Sequence, residues 1–213
     1  MFIRLKMPKI LIATKNPGKL REIKEFLGSE FEITSLKDFD NVPEIEENGA
    51  TFEENSLIKA KFYAEGIPSG FSVVFPTIAD DGGLEIDFLN GEPGVKSRRW
   101  PGYEATDEEL IDIALEKLKG VPWEKRTARL RTVGTYYDGK RTLQEEGSIK
   151  GYITEEKPKK WENGYPFRAI LWIPKFKKLF QDLTEEEHTQ INHRKIVYQK
   201  LGGEILKNSQ NNN

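Results

Sequence analysis

Near the amino terminus, Lys9-Ile10-Leu11-Ile12-Ala13 is an apolar run without alternation. It is followed by Thr14-Lys15-Asn16-Pro17-Gly18-Lys19, and then by Leu20, Ile23, Phe26 and Leu27 at helical spacing. An apolar run with no polar face belongs in a strand buried on both sides, and helices must then cover the sheet that contains it. The chain is therefore read as α/β, opening with strand, polar turn and helix. A helix starting just after Asn16-Pro17-Gly18 aims free backbone N–H groups and its positive dipole end into the turn, where Lys15 and Lys19 add mobile cations. This suits phosphate groups, although a capped helix that merely carries lysines has the same sequence. The spacing is not that of the Gly-x-x-x-x-Gly-Lys-Ser/Thr phosphate loop.

Farther along, the apolar run Ser72-Val73-Val74-Phe75-Pro76-Thr77 leads through Ile78-Ala79 to Asp80-Asp81-Gly82-Gly83-Leu84. It reads as a buried strand delivering two acids to a sharp turn. Successive strand side chains point to opposite faces, so one aspartate addresses a ligand and the other supports it. Before this stretch, Phe31–Leu36 reads as a second strand, and Val42–Gly49 as a loop in which Glu44, Glu46 or Glu47 can hold a hard cation. Thr51-Phe52-Glu53-Glu54 is a capping box, opening a helix that carries Asn55 and Lys59 one turn apart.

After it, Leu84–Leu89 alternates as a strand and 90–102 is a Gly-, Pro- and cation-rich loop. A helix capped by Thr106 or Asp107 presents Leu110, Ile111, Ile113, Ala114 and Leu118. Thr127–Tyr137 with Asp138-Gly139 predicts a hairpin and a second, antiparallel lobe, with Gly151-Tyr152-Ile153 pairing farther along. Gly164–Pro174 is aromatic and apolar. Thr184 starts a helical segment with His188, His193 and Arg194, and Val197, Leu201 and Ile205 turn the closing helix inward.

The 213 residues fit one domain of two lobes with a cleft between them, residues 1–7 and 208–213 being loosely ordered. A net charge of -2 gives no general attraction to nucleic acid or anionic membrane. The absence of cysteine excludes disulfides and thiolate chemistry and fits the cytoplasm, and two histidines do not make a multi-histidine metal centre. No run reaches the length of a membrane span.

Taken in order, these motifs resemble the inosine triphosphate pyrophosphatase family, the non-canonical purine nucleoside triphosphate pyrophosphatases, from Lys9 to about Leu201. The resemblance implies an elongated mixed α+β sheet flanked by helices, a homodimer, and Mg²⁺-dependent hydrolysis between the α- and β-phosphates to give monophosphate and pyrophosphate. It implies that Thr14, Lys15, Asn16, Pro17, Gly18 and Lys19 hold the triphosphate. The leading acid of the Glu46–Ala60 motif, Glu46, is implied as a metal ligand, and Asp81 as metal ligand and proton acceptor. Lys19 neutralises phosphate charge, with Asn55, Lys59 and Arg99 as further candidates. Gly82, Phe167, Arg168, His188, His193 and Arg194 complete the substrate-binding set.

The departures lie at the base end. Tyr165-Pro166-Phe167-Arg168-Ala169 stands where relatives have Phe-Gly-Tyr-Asp-Pro, His188-Thr189 where they have Lys-Asn, Asn192 where they have Ser, and Gly82 where they have Ser. A cation in place of an acid changes which base edge is satisfied. The other reading open to this sequence is a nucleotide- or nucleic-acid-binding protein on the same fold with lost or altered catalysis.

Overall fold

The computed structural model describes residues 7–66 and 74–210. Ser72 and Val73, read above as the start of the central strand, lie outside them. Seven strands form one sheet in the order β2-β1-β3-β4-β5-β6-β7: β1 (Lys9–Ile12), β2 (Glu32–Ser35), β3 (Thr77–Ile86), β4 (Thr127–Tyr137), β5 (Thr142–Ile153), β6 (Leu171–Ile173) and β7 (Lys178–Leu179). β1 is parallel to β2 and β3, whereas β6 is antiparallel to β5 and β7, so the sheet is mixed. Among the described residues, five α-helices accompany it: α1 (Pro17–Leu27), α2 (Phe52–Gly66), α3 (Asp107–Lys117), α4 (Glu185–Ile191) and α5 (His193–Gln210). The chain divides into two compact units. Unit 1 comprises the described residues within Met1–Asp81, Val133–Glu146 and Arg194–Asn213, and unit 2 comprises Gly82–Thr132 and Gly147–His193.

In unit 1 the unalternating run of β1 is used on both faces, as a doubly covered strand requires. Ile10, Ile12 and Ile78 pack with Ile23 and Leu27 of α1 and Val197, Leu201 and Ile205 of α5. Leu11, Ala13 and Ala79 face the other way, to Ala60 and Tyr63 of α2. Each fully buried Ile or Leu contributes roughly 2 kcal/mol by removing apolar surface from water. Gly134 lets α5 close on β4, since a Cβ there would stand 2.6 Å from Val197 Cγ1. The β4–β5 hairpin turns at Asp138-Gly139, where Gly139 takes a φ of 89° that favours glycine.

In unit 2, Leu84 and Ile86 of β3 pack with Leu110, Ile111 and Ala114 of α3 and with Leu130, Ile153 and Leu171. Thr106 and Glu109 cap α3 reciprocally. β5 takes in Gly151-Tyr152-Ile153 without interruption, and the helix predicted from Thr184 breaks at Asn192 into α4 and α5.

The central stretch departs from expectation. Asp80-Asp81-Gly82-Gly83 is not a turn, because β3 runs straight through it to Ile86. Neither glycine has a positive φ. What they provide is close approach: a Cβ at Gly82 would meet the Arg131 carbonyl and lie 2.8 Å from Thr132 Oγ1, and one at Gly83 would meet Ser97 Oγ and lie 2.7 Å from the Gly94 carbonyl oxygen.

Candidate functional site

Because β3 stays extended, its two aspartates point to opposite faces and meet different helices. Asp80 takes the side of α1 and α5. Its carboxylate lies 3.0 Å from Lys19 Nζ and 3.8 Å from the guanidinium of Arg194, which in turn lies 3.4 Å from Glu22. Asp81 takes the side of α2, where Asn55 Nδ2 donates to it at 3.1 Å. Asn55 Oδ1 accepts from the Gly49 N–H at 2.7 Å, so one amide ties the end of the acidic loop to Asp81. Lys59, one turn along α2, donates to the Asp80 main-chain carbonyl at 3.0 Å and pairs with Glu47 at 2.7 Å.

These groups sit deep enough for their charges to be altered. Burial alone would raise Asp80, but Lys19, Arg194 and Lys59 outweigh it and hold the carboxyl down at about 2. Burial pushes Asp81 above the usual carboxylate range; Lys59 opposes the shift and Glu47 adds to it. Burial likewise lowers the Lys19 ammonium against the pull of Asp80. For Lys59 burial is again the largest single influence, but Glu47, Asp81 and Asp80 together overcome it and raise the ammonium. Tyr198, fully buried on α5, has its hydroxyl raised by burial and then by Asp80.

Of the acids weighed as metal ligands, Glu46 is exposed, Glu44 pairs with Lys15 at the surface, and Glu47 reaches inward. The expectation of free amides at the start of α1 is also corrected. Asn16 Oδ1 accepts from the N–H groups of Gly18 at 2.8 Å and Lys19 at 3.2 Å, Pro17 has none, and the Asn16 N–H donates to Thr14 Oγ1. An asparagine at the cap satisfies the donors that a phosphate would otherwise find.

Unit 2 holds the other predicted residues. Phe167 is core, edge-on to Trp100. The Arg168 guanidinium lies 3.7 Å from the Tyr165 ring centre and 5.2 Å from that of Phe180, with Glu162 at 3.5 Å. The Phe180 ring meets both histidines edge-on, His188 at 4.7 Å and His193 at 6.3 Å between ring centres. Arg99 is exposed.

The sequence reading missed Glu22 and Tyr198. Glu22 lies three positions after Lys19 and Tyr198 four after Arg194, spacings that place each pair on one helix face, so the signal was present. Among the described residues, no three or more of His, Cys, Asp and Glu come together as a metal cluster, and no helix is long and apolar enough to cross a membrane.

Comparison with known proteins bears on the same residues. The model of the Ham1 family matches residues 10–203, a span containing every residue of the unit 1 cluster. The chain belongs to the Ham1 family. This Ham1-family chain is 40% identical over 200 residues to a dITP/XTP pyrophosphatase of Thermoanaerobacter pseudethanolicus, covering 93% of the chain and 97% of that protein. It is 39% identical over 197 residues to the Bacillus subtilis protein of the same name, covering 92% and 96%. Among solved structures, a HAM1 protein from Coxiella burnetii superposes with a TM-score of 0.80 at 33% identity, covering 94% of the chain and all of that protein. The Staphylococcus aureus Ham1 protein gives 0.79 at 30% identity. The family is thus that of the pyrophosphatases the motifs resemble.

Proposed function

We propose that the chain hydrolyses non-canonical purine nucleoside triphosphates, deoxyinosine and xanthosine triphosphates first, at the bond between the α- and β-phosphates. Water adds at the α-phosphorus, the bridging oxygen leaves with the pyrophosphate, and the products are a nucleoside monophosphate and pyrophosphate. The observation that carries this reading is Asp81, buried and raised in pKa, beside Lys59 and Glu47, in a chain about 40% identical to named dITP/XTP pyrophosphatases. A carboxylate held in this position can accept the proton of an attacking water. Asn55 fixes its orientation. Lys59 and Lys19 place positive charge where a triphosphate gathers negative charge.

A divalent cation fits the donor set. Two carboxylates, Asp81 and Glu47, are enough to hold it while phosphate oxygens and waters complete the shell, which is the manner of Mg²⁺. We assign Glu47 rather than Glu46, because Glu47 is the acid turned toward Lys59. When bound, the cation would neutralise phosphate charge. A cytoplasmic homodimer is the location and assembly proposed from the resemblance, and light scattering of the purified protein checks the latter.

The deciding experiment incubates the protein and Mg²⁺ with dITP, XTP, ITP, ATP and GTP and measures pyrophosphate. Pyrophosphate from dITP or XTP that disappears in Asp81→Asn is the expected result. Orthophosphate alone, or tight binding without turnover, overturns it.

A further inference from the structure

Asp80 is the most deeply buried acid of unit 1, and the chemistry above leaves it unused. At 1% exposure its carboxylate is out of reach of any ligand, yet it touches both lysines by different groups. The side chain lies 3.0 Å from Lys19 Nζ, and the main-chain carbonyl accepts from Lys59 Nζ at 3.0 Å. Arg194 backs the carboxylate at 3.8 Å and is itself paired with Glu22, so Asp80 does not need Lys19 as its only countercharge. A buried ion pair adds little net stability over apolar packing, so stability alone does not account for the arrangement. Lysine has a flexible stem, and an ammonium already held in place loses less freedom on meeting an anion.

We propose that Asp80 is a positioning residue: its carboxylate sets the Lys19 ammonium, arriving from α1, and its carbonyl sets that of Lys59, arriving from α2, as a preformed pair of cations for a polyphosphate. The kinetic part of the test rests on the proposed pyrophosphohydrolysis, and the labelling part does not.

Asp80→Asn removes the partner of Lys19 and keeps the carbonyl that holds Lys59. Peptide-resolved acetylation of the full-length protein is expected to modify Lys19 at least about fivefold faster than in wild type and Lys59 within about twofold. Equal acceleration at both lysines, the mark of a generally loosened unit, overturns the proposal. With dITP, kcat/KM is expected to fall at least about tenfold, mainly through KM, whereas the same substitution in a Lys19→Met background changes it less than about threefold. Effects that multiply instead overturn it. Asp80→Glu, which keeps the charge and moves it by one methylene, is carried through both measurements with the same expected pattern, so the test stands where the Asn variant does not fold. A wild-type protein that hydrolyses no triphosphate defeats the proposed function, and the labelling contrast still decides the role of Asp80.

Discussion

Lys19 in unit 1 and Arg126 in unit 2 are both largely withdrawn from water, yet they are held by different kinds of acceptor. Lys19 faces the carboxylate of Asp80, within a cluster that also pairs Lys59 with Glu47 and Arg194 with Glu22. Arg126 donates to three main-chain carbonyls, those of Ile153 at 2.7 Å, Leu118 at 2.6 Å and Thr154 at 2.5 Å, and Arg168 lies against the faces of Tyr165 and Phe180. Carboxylates hold cations that an incoming phosphate can share. Arg126 spends its donors on main-chain carbonyls, so it fastens the end of α3 to the end of β5. The comparison teaches that burial of a charge marks a functional candidate only once its partner is known.

The largest effect that sharpens this contrast is at Asp81. Asp81→Asn is expected to lower pyrophosphate release by roughly a thousandfold, as loss of a general base does. Its melting temperature at neutral pH should not drop, because burial already disfavours the charge that is removed. Calorimetry beside the activity assay checks both, and a large loss of stability with activity retained would break the contrast.

Next comes Arg126→Met, expected to destabilise the protein by about 3 kcal/mol, since it removes three charge-assisted hydrogen bonds to main-chain carbonyls. Urea unfolding measures it, and kcat/KM of the folded variant should stay near wild type.

Third, Glu47→Gln should weaken the divalent-cation dependence of activity by about ten- to thirtyfold and Glu46→Gln by less than about twofold. A Mg²⁺ titration of rate distinguishes them, and the reverse order would restore Glu46.

Fourth is acid. A carboxyl whose folded pKa is depressed contributes stability that is present above its unfolded value and lost as pH falls through the folded one. Asp80 drops from 3.8 to about 2, so roughly 2 kcal/mol should be lost between about pH 4 and pH 2, a loss missing in Asp80→Asn.

The smallest effect is at Lys15, whose pair with Glu44 is open to solvent. Lys15→Ala should leave the melting temperature within about 1 °C.

Much of the fold was legible because its signals are local. The unalternating β1 run, Asn16-Pro17-Gly18, the cap at Thr106, the helix start at Thr184 and the Asp138-Gly139 turn each act through neighbours in sequence. Gly82-Gly83 misled because a glycine needed for close approach has the same sequence as a glycine needed for a turn. The atoms that decide between them, Ser97 Oγ and the Arg131 carbonyl, come from elsewhere in the chain. The candidate site was half visible: Lys19, Asn55, Lys59 and Asp81 were named, while Glu22 and Tyr198 looked like ordinary helix residues.

By itself the sequence determined the alternation that sends Asp80 and Asp81 to opposite faces, since strand periodicity is a property of the backbone. Only the tertiary structure decided that Asp80 meets Lys19 and Arg194 while Asp81 meets Asn55, and that Glu47 rather than Glu46 turns inward. Periodicity fixes the direction of a side chain, but the charge it finds there depends on which helix the packing of the core has brought to that face.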